Sequence, residues 1–166
     1  MIRNALPEDA PQIADIYRHY VETTTISFEE VPVSTPDMAS RIAAVQALAL
    51  PWLVAEQDGM ITGYAYATAW KARHAYRHSV EITVYLRPDA LARRGGTALY
   101  SALFKALETL PVHAVVACIA LPNAHSVALH EKFGMRKVAH FAEVGYKFGT
   151  WLDVGYWQVN LDRDVY

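Results

Sequence analysis

Val80-Glu81-Ile82-Thr83-Val84-Tyr85-Leu86, followed shortly by Ala92-Arg93-Arg94-Gly95-Gly96-Thr97, is the stretch on which the reading of the fold turns. The first seven residues are rich in β-branched and aromatic types, which favours a strand over Ser79 to Leu86. Successive strand side chains point to opposite faces, so Glu81, Thr83 and Tyr85 share one face. Val80, Ile82, Val84 and Leu86 then face an apolar layer. A carboxylate in mid-strand is costly unless water or a function claims it. From spacing alone, a surface glutamate on an edge strand and a working one weigh equally.

The second segment opens a helix running to about Leu110, with Leu99, Leu103, Ala106, Leu107 and Leu110 on one stripe. A helix N-terminus offers free N–H groups and the positive end of the helix dipole, which suits a pyrophosphate. Gly95 and Gly96 let a ligand approach the backbone, and Arg93 and Arg94 add charge. Taken alone, Gly-Gly before a helix is more often only a turn.

Working outward toward the N-terminus, Ile13, Ile16, Tyr17, Tyr20 and Val21 keep helical spacing over about 9–22. Thr23 to Pro32 reads as a loop. Thr35-Pro36-Asp37 supplies a cap residue, a first-turn proline and an acid for a second helix to about Leu48. Trp52 to Ala55 and Ile61 to Ala69 are strands joined at Asp58-Gly59, a hairpin signal. A polar loop spans Trp70 to His78.

Toward the C-terminus, His113 to Ala120 is a buried strand and Asn123 to Phe133 a helix closed by Gly134. Final strands fall near Lys137 to Val144 and Trp151 to Leu161. The order β-α-α-β-β-β-α-β-α-β-β describes a mixed α/β domain, an α+β mixed sheet flanked by helices, over residues 1–166. On the helix after Leu121-Pro122, Asn123, Ser126 and His130 share one face. A lone histidine there is more often packed or solvated than functional. Aligned with an amide and a hydroxyl, it gains weight.

Bulk properties narrow the class. A net charge of −2 and a pI near 6.4 argue against a nucleic-acid binder. No stretch reaches the ~20 apolar residues of a membrane span, and Met1-Ile2-Arg3-Asn4 has no signal-peptide core. The single cysteine, Cys118, excludes an internal disulfide and suits a reducing compartment, so a cytoplasmic protein is expected. Cys118 lies within Val115-Val116-Ala117-Cys118-Ile119, where core packing is the first reading and pocket lining the second. No metal site is expected.

Together, a strand, a phosphate-type turn, a further strand and an Asn-x-x-Ser-x-x-x-His-Glu-Lys-x-Gly helix resemble the GNAT N-acetyltransferase superfamily. Further blocks resemble its phosphinothricin N-acetyltransferase branch: Trp52-Leu53-Val54-Ala55-Glu56 after Pro51, Trp70-Lys71-Ala72-Arg73-His74-Ala75-Tyr76, and Trp151-Leu152-Asp153-Val154-Gly155-Tyr156-Trp157-Gln158. His19 to Thr25, ahead of Phe28, is similar as well.

The resemblance implies the GNAT acyl-CoA N-acyltransferase fold, with acetyl-CoA as co-substrate and an amino-acid-like acceptor. It implies Glu81 as general base and His130 near the thioester, orienting it or protonating the departing thiolate. Arg73, Tyr76, Lys71, Phe28 and Thr83 fall on the acceptor side. Val84, Leu86, Arg93, Arg94, Gly95, Gly96, Thr97, Asn123 and Ser126 fall on the cofactor side. The cofactor is expected where the strands after Leu86 and Ala120 diverge, and a homodimer is implied, with Phe28 reaching toward the partner's site. The family's Gln/Arg-x-x-Gly-x-Gly/Ala loop fits in two frames. One uses Leu91, Arg94 and Gly96 and breaks the pattern twice; the other uses Arg93, Gly96 and Ala98 and satisfies it. Rival readings are an acetyltransferase for methionine sulfoximine, methionine sulfone or another amino acid, a protein-modifying acetyltransferase, and a CoA-binding module without catalysis.

Overall fold

Strand β4 (Ser79–Leu86) lies fourth of seven in one sheet ordered β1-β2-β3-β4-β5-β7-β6. The computed structural model describes residues 1–93 and 95–161, and for 91–93 the backbone only. The strands are β1 (Ile2–Asn4), β2 (Trp52–Gln57), β3 (Met60–Ala69), β4, β5 (Ala114–Leu121), β6 (Arg136–Lys147) and β7 (Thr150–Asn160). The helices are α1 (Ala10–Thr23), α2 (Thr35–Ala47), α3 (Gly95–Leu107) and α4 (Ala124–Lys132). The expected order of elements holds. All neighbours are antiparallel except β4 and β5.

The turns are made by the residues suited to them. Asp58 and Gly59 both have positive φ, 52° and 78°, the pair that a two-residue hairpin with matching twist requires. Ser34, not Thr35, caps α2: its side chain accepts from the Asp37 N–H at 3.2 Å, and Thr35 is already helical. Asn123 caps α4 in the same way, accepting from the Ser126 N–H at 3.1 Å, and Gly134 ends it at φ 79°. The α3 helix stops at Leu107, a turn short of Leu110. Strand β6 runs on to Lys147, beyond the expected Val144. Register shifts at Lys137/Ala139 and Phe141/Gly145 absorb extra residues there, one of them Glu143 at φ 52°.

The sheet separates two cores. On one face α1 and α2 cover Trp52, Val54 and Tyr64, with Tyr66 and Tyr85 partly buried beside them. On the other, α3 covers Ala65, Ala67, Val80, Ile82, Val115, Ala117 and Ile119 with Leu99, Leu103 and Leu107. Val84 and Leu86 pack against this second cluster and Tyr85 against the first, as the alternation in β4 requires.

Candidate active site

The parallel pair of the sheet is also its shortest ladder between long strands. β4 and β5 pair at Ser79↔Ala114, Val80↔Val115 and Glu81↔Val116, and the ladder ends there. The strands part from Ile82 onward, earlier than the expected divergence after Leu86 and Ala120. A cleft opens between them, walled by Thr83 and Val84 on one side and by Cys118, Asn123, Ser126 and His130 on the other.

Cys118 is exposed, which corrects the expectation of core packing. In β5 the odd-numbered side chains enter the core, while Cys118 takes the opposite face and looks into the opening. Burial of its surroundings pushes the thiol pKa up, against a hydrogen bond to its cross-strand neighbour Tyr156. Tyr156 in turn is pushed up to about 12 by desolvation and by Cys118.

Glu81 occupies the last position of β4 that pairs with β5, half buried, on the tyrosine face. Burial pushes its carboxyl pKa up, and the positive charge of Lys71 pulls it back part of the way. This is the direction a general base working near neutral pH requires. On the same face, Thr83 lies across the ladder from Tyr66, whose ring stacks on Trp52 at 4.0 Å.

The loop before β4 is exposed from Lys71 to Arg77. Trp70 organises it: Tyr76 meets its ring edge-on at 5.4 Å and the Lys71 ammonium lies 5.3 Å from its centroid. A short 3-10 turn at His74–Tyr76 follows Arg73, whose carbonyl accepts from the Tyr76 N–H at 2.9 Å. The Arg73 side chain makes no ion pair among the described residues.

Phe28 is 41% exposed and its ring lies against Gly145, where a β-carbon would collide with it. The loop carrying Phe28 is fixed from beneath. The buried Lys147 ammonium donates to the Ser27 carbonyl at 2.7 Å, Tyr17 bonds Ser27 at 2.7 Å and also Glu29, and Glu29 takes both arms of Arg41 at 2.6 and 2.9 Å. That loop also brings Ile26 to the cleft.

On the side that the sequence resemblance assigns to the cofactor, α3 begins beside the end of β4. A β-carbon on Gly96 would stand 3.1 Å from Leu129 of α4 and 3.7 Å from Leu86, so the helix start fits closely only without a side chain. Thr97 receives a bond from Lys132 at 3.4 Å. Tyr20 donates to the Leu86 carbonyl at 2.5 Å, fixing the end of β4. Arg94 and the Arg93 side chain lie outside the described residues, so neither frame of the loop is decided by geometry. His130 is 4% exposed and both ring nitrogens are engaged, Nδ1 with the Ser126 carbonyl at 2.7 Å and Nε2 with the Tyr100 hydroxyl at 2.8 Å.

Thr83, Val84, Asn123, Ser126 and His130 thus share one cleft, and Leu86 meets Gly95 and Gly96. Glu81 sits at the head of the splay on the other face of the sheet from the α4 side chains. Sequence reasoning passes over Ile26, Tyr100, Lys147 and Tyr156; of these, Tyr156 is open to the alternation argument.

The splayed parallel pair thus has the start of α3 at its foot and the capped helix α4 along its flank. The GNAT acetyltransferase domain model matches residues 2–155. The chain belongs to the GNAT acetyltransferase family. It is 41% identical to the phosphinothricin N-acetyltransferase of Streptomyces viridochromogenes, over 97% of this chain and 87% of that one. It is 35% identical to the L-methionine sulfoximine/L-methionine sulfone acetyltransferase of Salmonella typhimurium, over 98% and 95%. A phosphinothricin acetyltransferase of Sinorhizobium meliloti, solved with acetyl-CoA, superposes with a TM-score of 0.94 at 34% identity, covering 97% and 88%. The fold is the GNAT fold, and this GNAT enzyme is an acetyltransferase with acetyl-CoA as co-substrate. Among the described residues no helix is long and apolar enough to cross a membrane, and no cluster of His, Cys, Asp and Glu could hold a metal ion.

Proposed function

We propose that this enzyme acetylates the α-amine of phosphinothricin or a similar amino acid, by direct transfer with Glu81 as general base. The observation that carries the reading is the placement of Glu81. It is a half-buried carboxylate of raised pKa where β4 and β5 part, below an exposed cationic loop. Relatives named for phosphinothricin and for methionine sulfoximine support an acceptor that combines an amine with anionic or strongly polar groups.

Residues present fit acetyl-CoA. The start of α3 takes the pyrophosphate, the Asn123 amide and Ser126 line the pantetheine path, and main-chain groups of β4 beyond Glu81 lie along the opening. Arg73 and Lys71 hold the acceptor's anionic groups, the guanidinium through a planar two-point contact. Tyr76 and Phe28 flank it. Glu81, directly or through a water, takes one proton from the acceptor ammonium. The freed amine forms the amide bond with the acetyl carbon as the carbon–sulfur bond breaks, and its second proton leaves with the thiol. A β4 main-chain N–H receives the charge that develops on the carbonyl oxygen.

The assembly we propose is a homodimer. Val138, Phe141, Val144, Tyr146, Phe148 and Trp151, each half exposed or more, gather on the edge strand β6 and its hairpin partner. An apolar edge of this kind is a liability unless covered. A cytoplasmic location suits a chain with a single cysteine.

Incubating the protein with acetyl-CoA and a panel of amino acids, with detection of free thiol, tests the reading. Turnover is expected with phosphinothricin, methionine sulfoximine or methionine sulfone. Acetyl-CoA binding without turnover on any of them would overturn the acceptor assignment. Sedimentation equilibrium reading a monomer at micromolar concentration would overturn the dimer.

A further inference from the structure

Tyr100 is not among the residues that the sequence assigns to the site, yet it is 0% exposed and reaches the wall of the cofactor cleft. It stands one turn after Gly96 on α3, so the two share the side of the helix that faces α4. On α4 the corresponding neighbours are Leu129, which abuts Gly96, and His130, which abuts Tyr100. The Tyr100 ring meets His130 edge-on at 5.1 Å and Phe133 at 5.6 Å, while Phe133 stacks on Phe104 at 5.2 Å. These rings form a clasp between the helix that opens at the phosphate turn and the helix that carries Asn123 and Ser126.

The hydrogen bonds set the protons. The Ser126 carbonyl can only accept, so His130 Nδ1 carries hydrogen. Burial lowers the pKa of the ring and keeps it neutral, which leaves Nε2 as an acceptor for the Tyr100 hydroxyl. The one ring proton is already committed to a main-chain carbonyl.

We propose that Tyr100 is a positioning residue for acetyl-CoA. Through His130 it locks the first turn of α3 against α4, and His130 serves as the fixed, uncharged half of that lock instead of a proton donor to the departing thiol. The inference rests on the reading of the cleft as the acetyl-CoA site. Loss of the Tyr100 hydroxyl leaves a buried ring nitrogen unpaired and loosens the spacing of the two helix starts that hold the cofactor.

Three measurements on the whole protein test this: calorimetry with CoA, steady-state kinetics for both substrates, and ¹⁵N shifts of the histidine ring. Tyr100→Phe should raise the Kd for CoA and the KM for acetyl-CoA about tenfold, the cost of orphaning a buried partner, with a smaller fall in kcat. His130→Gln should show the same split and keep the shape of the wild-type kcat against pH. In the wild type, the His130 ring should hold one protonated Nδ1 and a bare Nε2 from about pH 7 to 8, above the ordinary imidazole pKa. A kcat loss of about 100-fold in His130→Gln with KM for acetyl-CoA intact would mark a general acid and overturn the proposal. So would titration of the His130 ring within that pH range. Should Tyr100→Phe fail to fold, the ring spectrum of the wild type and the kinetics of His130→Gln decide alone. Wild-type protein that binds CoA but transfers to no acceptor sinks only the acceptor assignment. Failure to bind CoA sinks both.

Discussion

The two faces of the sheet are built from different materials. The α1–α2 face is aromatic and hydroxylated: Tyr17, Tyr20, Tyr64, Tyr66 and Tyr85 gather on it with Trp52, and Ser27, Glu29 and Arg41 bond at its margin. The α3 face is built mainly from aliphatic side chains, with Tyr100, Phe104, Phe133 and Trp157 among them, and its main polar feature is the closed Tyr100–His130 pair. Desolvation acts on both, with opposite results. On the first face it leaves a carboxylate, Glu81, half buried and still open to exchange protons. On the second it lowers the pKa of a histidine, His130, whose Nδ1 proton is bonded to the Ser126 carbonyl. On the reading proposed above, the proton chemistry would fall to the tyrosine face, while the proposed cofactor cleft takes lining from both, Thr83 and Cys118 from one face and Val84 from the other.

Glu81→Gln strikes at this division hardest. It should lower kcat on the order of 100-fold and leave the KM for acetyl-CoA nearly as it was. It should also raise stability. A carboxyl whose pKa is raised in the folded state holds its proton more tightly there than in the unfolded chain. Stability is thus lost as pH climbs above the ordinary glutamate range. The glutamine variant escapes that loss, so its melting temperature should exceed that of the wild type at about pH 7, with the gap closing toward about pH 4. Equal turnover would show that Glu81 is not the base; a lower melting temperature at neutral pH would show that its carboxyl is not held above the ordinary glutamate range.

Arg73→Ala comes next, and it sharpens the comparison by asking whether the acceptor meets only the tyrosine side. A lost charge-assisted contact to a bound anion should cost ~2–3 kcal/mol, roughly 30- to 150-fold in kcat/KM for the acceptor. Arg73→Lys should restore part of it, because an ammonium cannot reproduce the fork. The KM for acetyl-CoA should stay put. An unchanged acceptor kcat/KM with both phosphinothricin and methionine sulfoximine would shift the anion's partner to Lys71.

Gly145→Ala is gentler. The new methyl group would meet the end of the Phe28 ring, a side chain free to swing, and no backbone atom. The fold should tolerate it while Phe28 is displaced from the position in which it would flank the proposed acceptor. A contact worth about 1 kcal/mol predicts a ~3- to 10-fold rise in acceptor KM. Equal rises in both KM values would mean that Phe28 does not serve the acceptor alone.

How much of this is legible in the sequence follows the range of the interactions. The period-two pattern of β4 assigns Glu81 and Tyr85 to one face and Ile82 to the other, and both assignments hold. Asp58-Gly59, Asn123 and Gly134 are local devices and do what their residue types allow. The second helix is capped one residue earlier than expected because Ser34 and Thr35 are chemically near-equivalent caps, and only the chain direction chooses. The anchoring of the Phe28 loop is out of reach: Lys147 and Ser27 are 120 residues apart, with no local pattern to join them. Cys118 escapes the expectation of core packing although the same alternation argument applies to it, since Val115, Ala117 and Ile119 fill the core under α3 and turn Val116 and Cys118 to the other face, where Val116 is still buried and Cys118 is not. What no period could reveal is that β5 loses its neighbour β4 just there.

The exposed position of Cys118 yields the smallest predicted effect and a direct test of the cleft. The chain has one cysteine, so any thiol label reports Cys118 alone, and Cys118→Ser supplies the blank. The thiol is exposed yet sits where burial of its surroundings raises its pKa. Less of it is thiolate near neutral pH than in a free thiol, so alkylation should be slower than for a free thiol and should quicken with each step in pH. Acetyl-CoA in the β4–β5 opening would cover the sulfur. At a concentration equal to its Kd it occupies half the molecules, and the labelling rate should fall about twofold. Phosphinothricin alone, if Arg73 on the exposed loop holds it as proposed, should protect less. Labelling that ignores acetyl-CoA would place the cofactor outside the splay and dissolve the contrast between the faces. Protection by the acceptor alone, equal to that by acetyl-CoA, would instead put the acceptor's path through the cleft that the α4 side chains line.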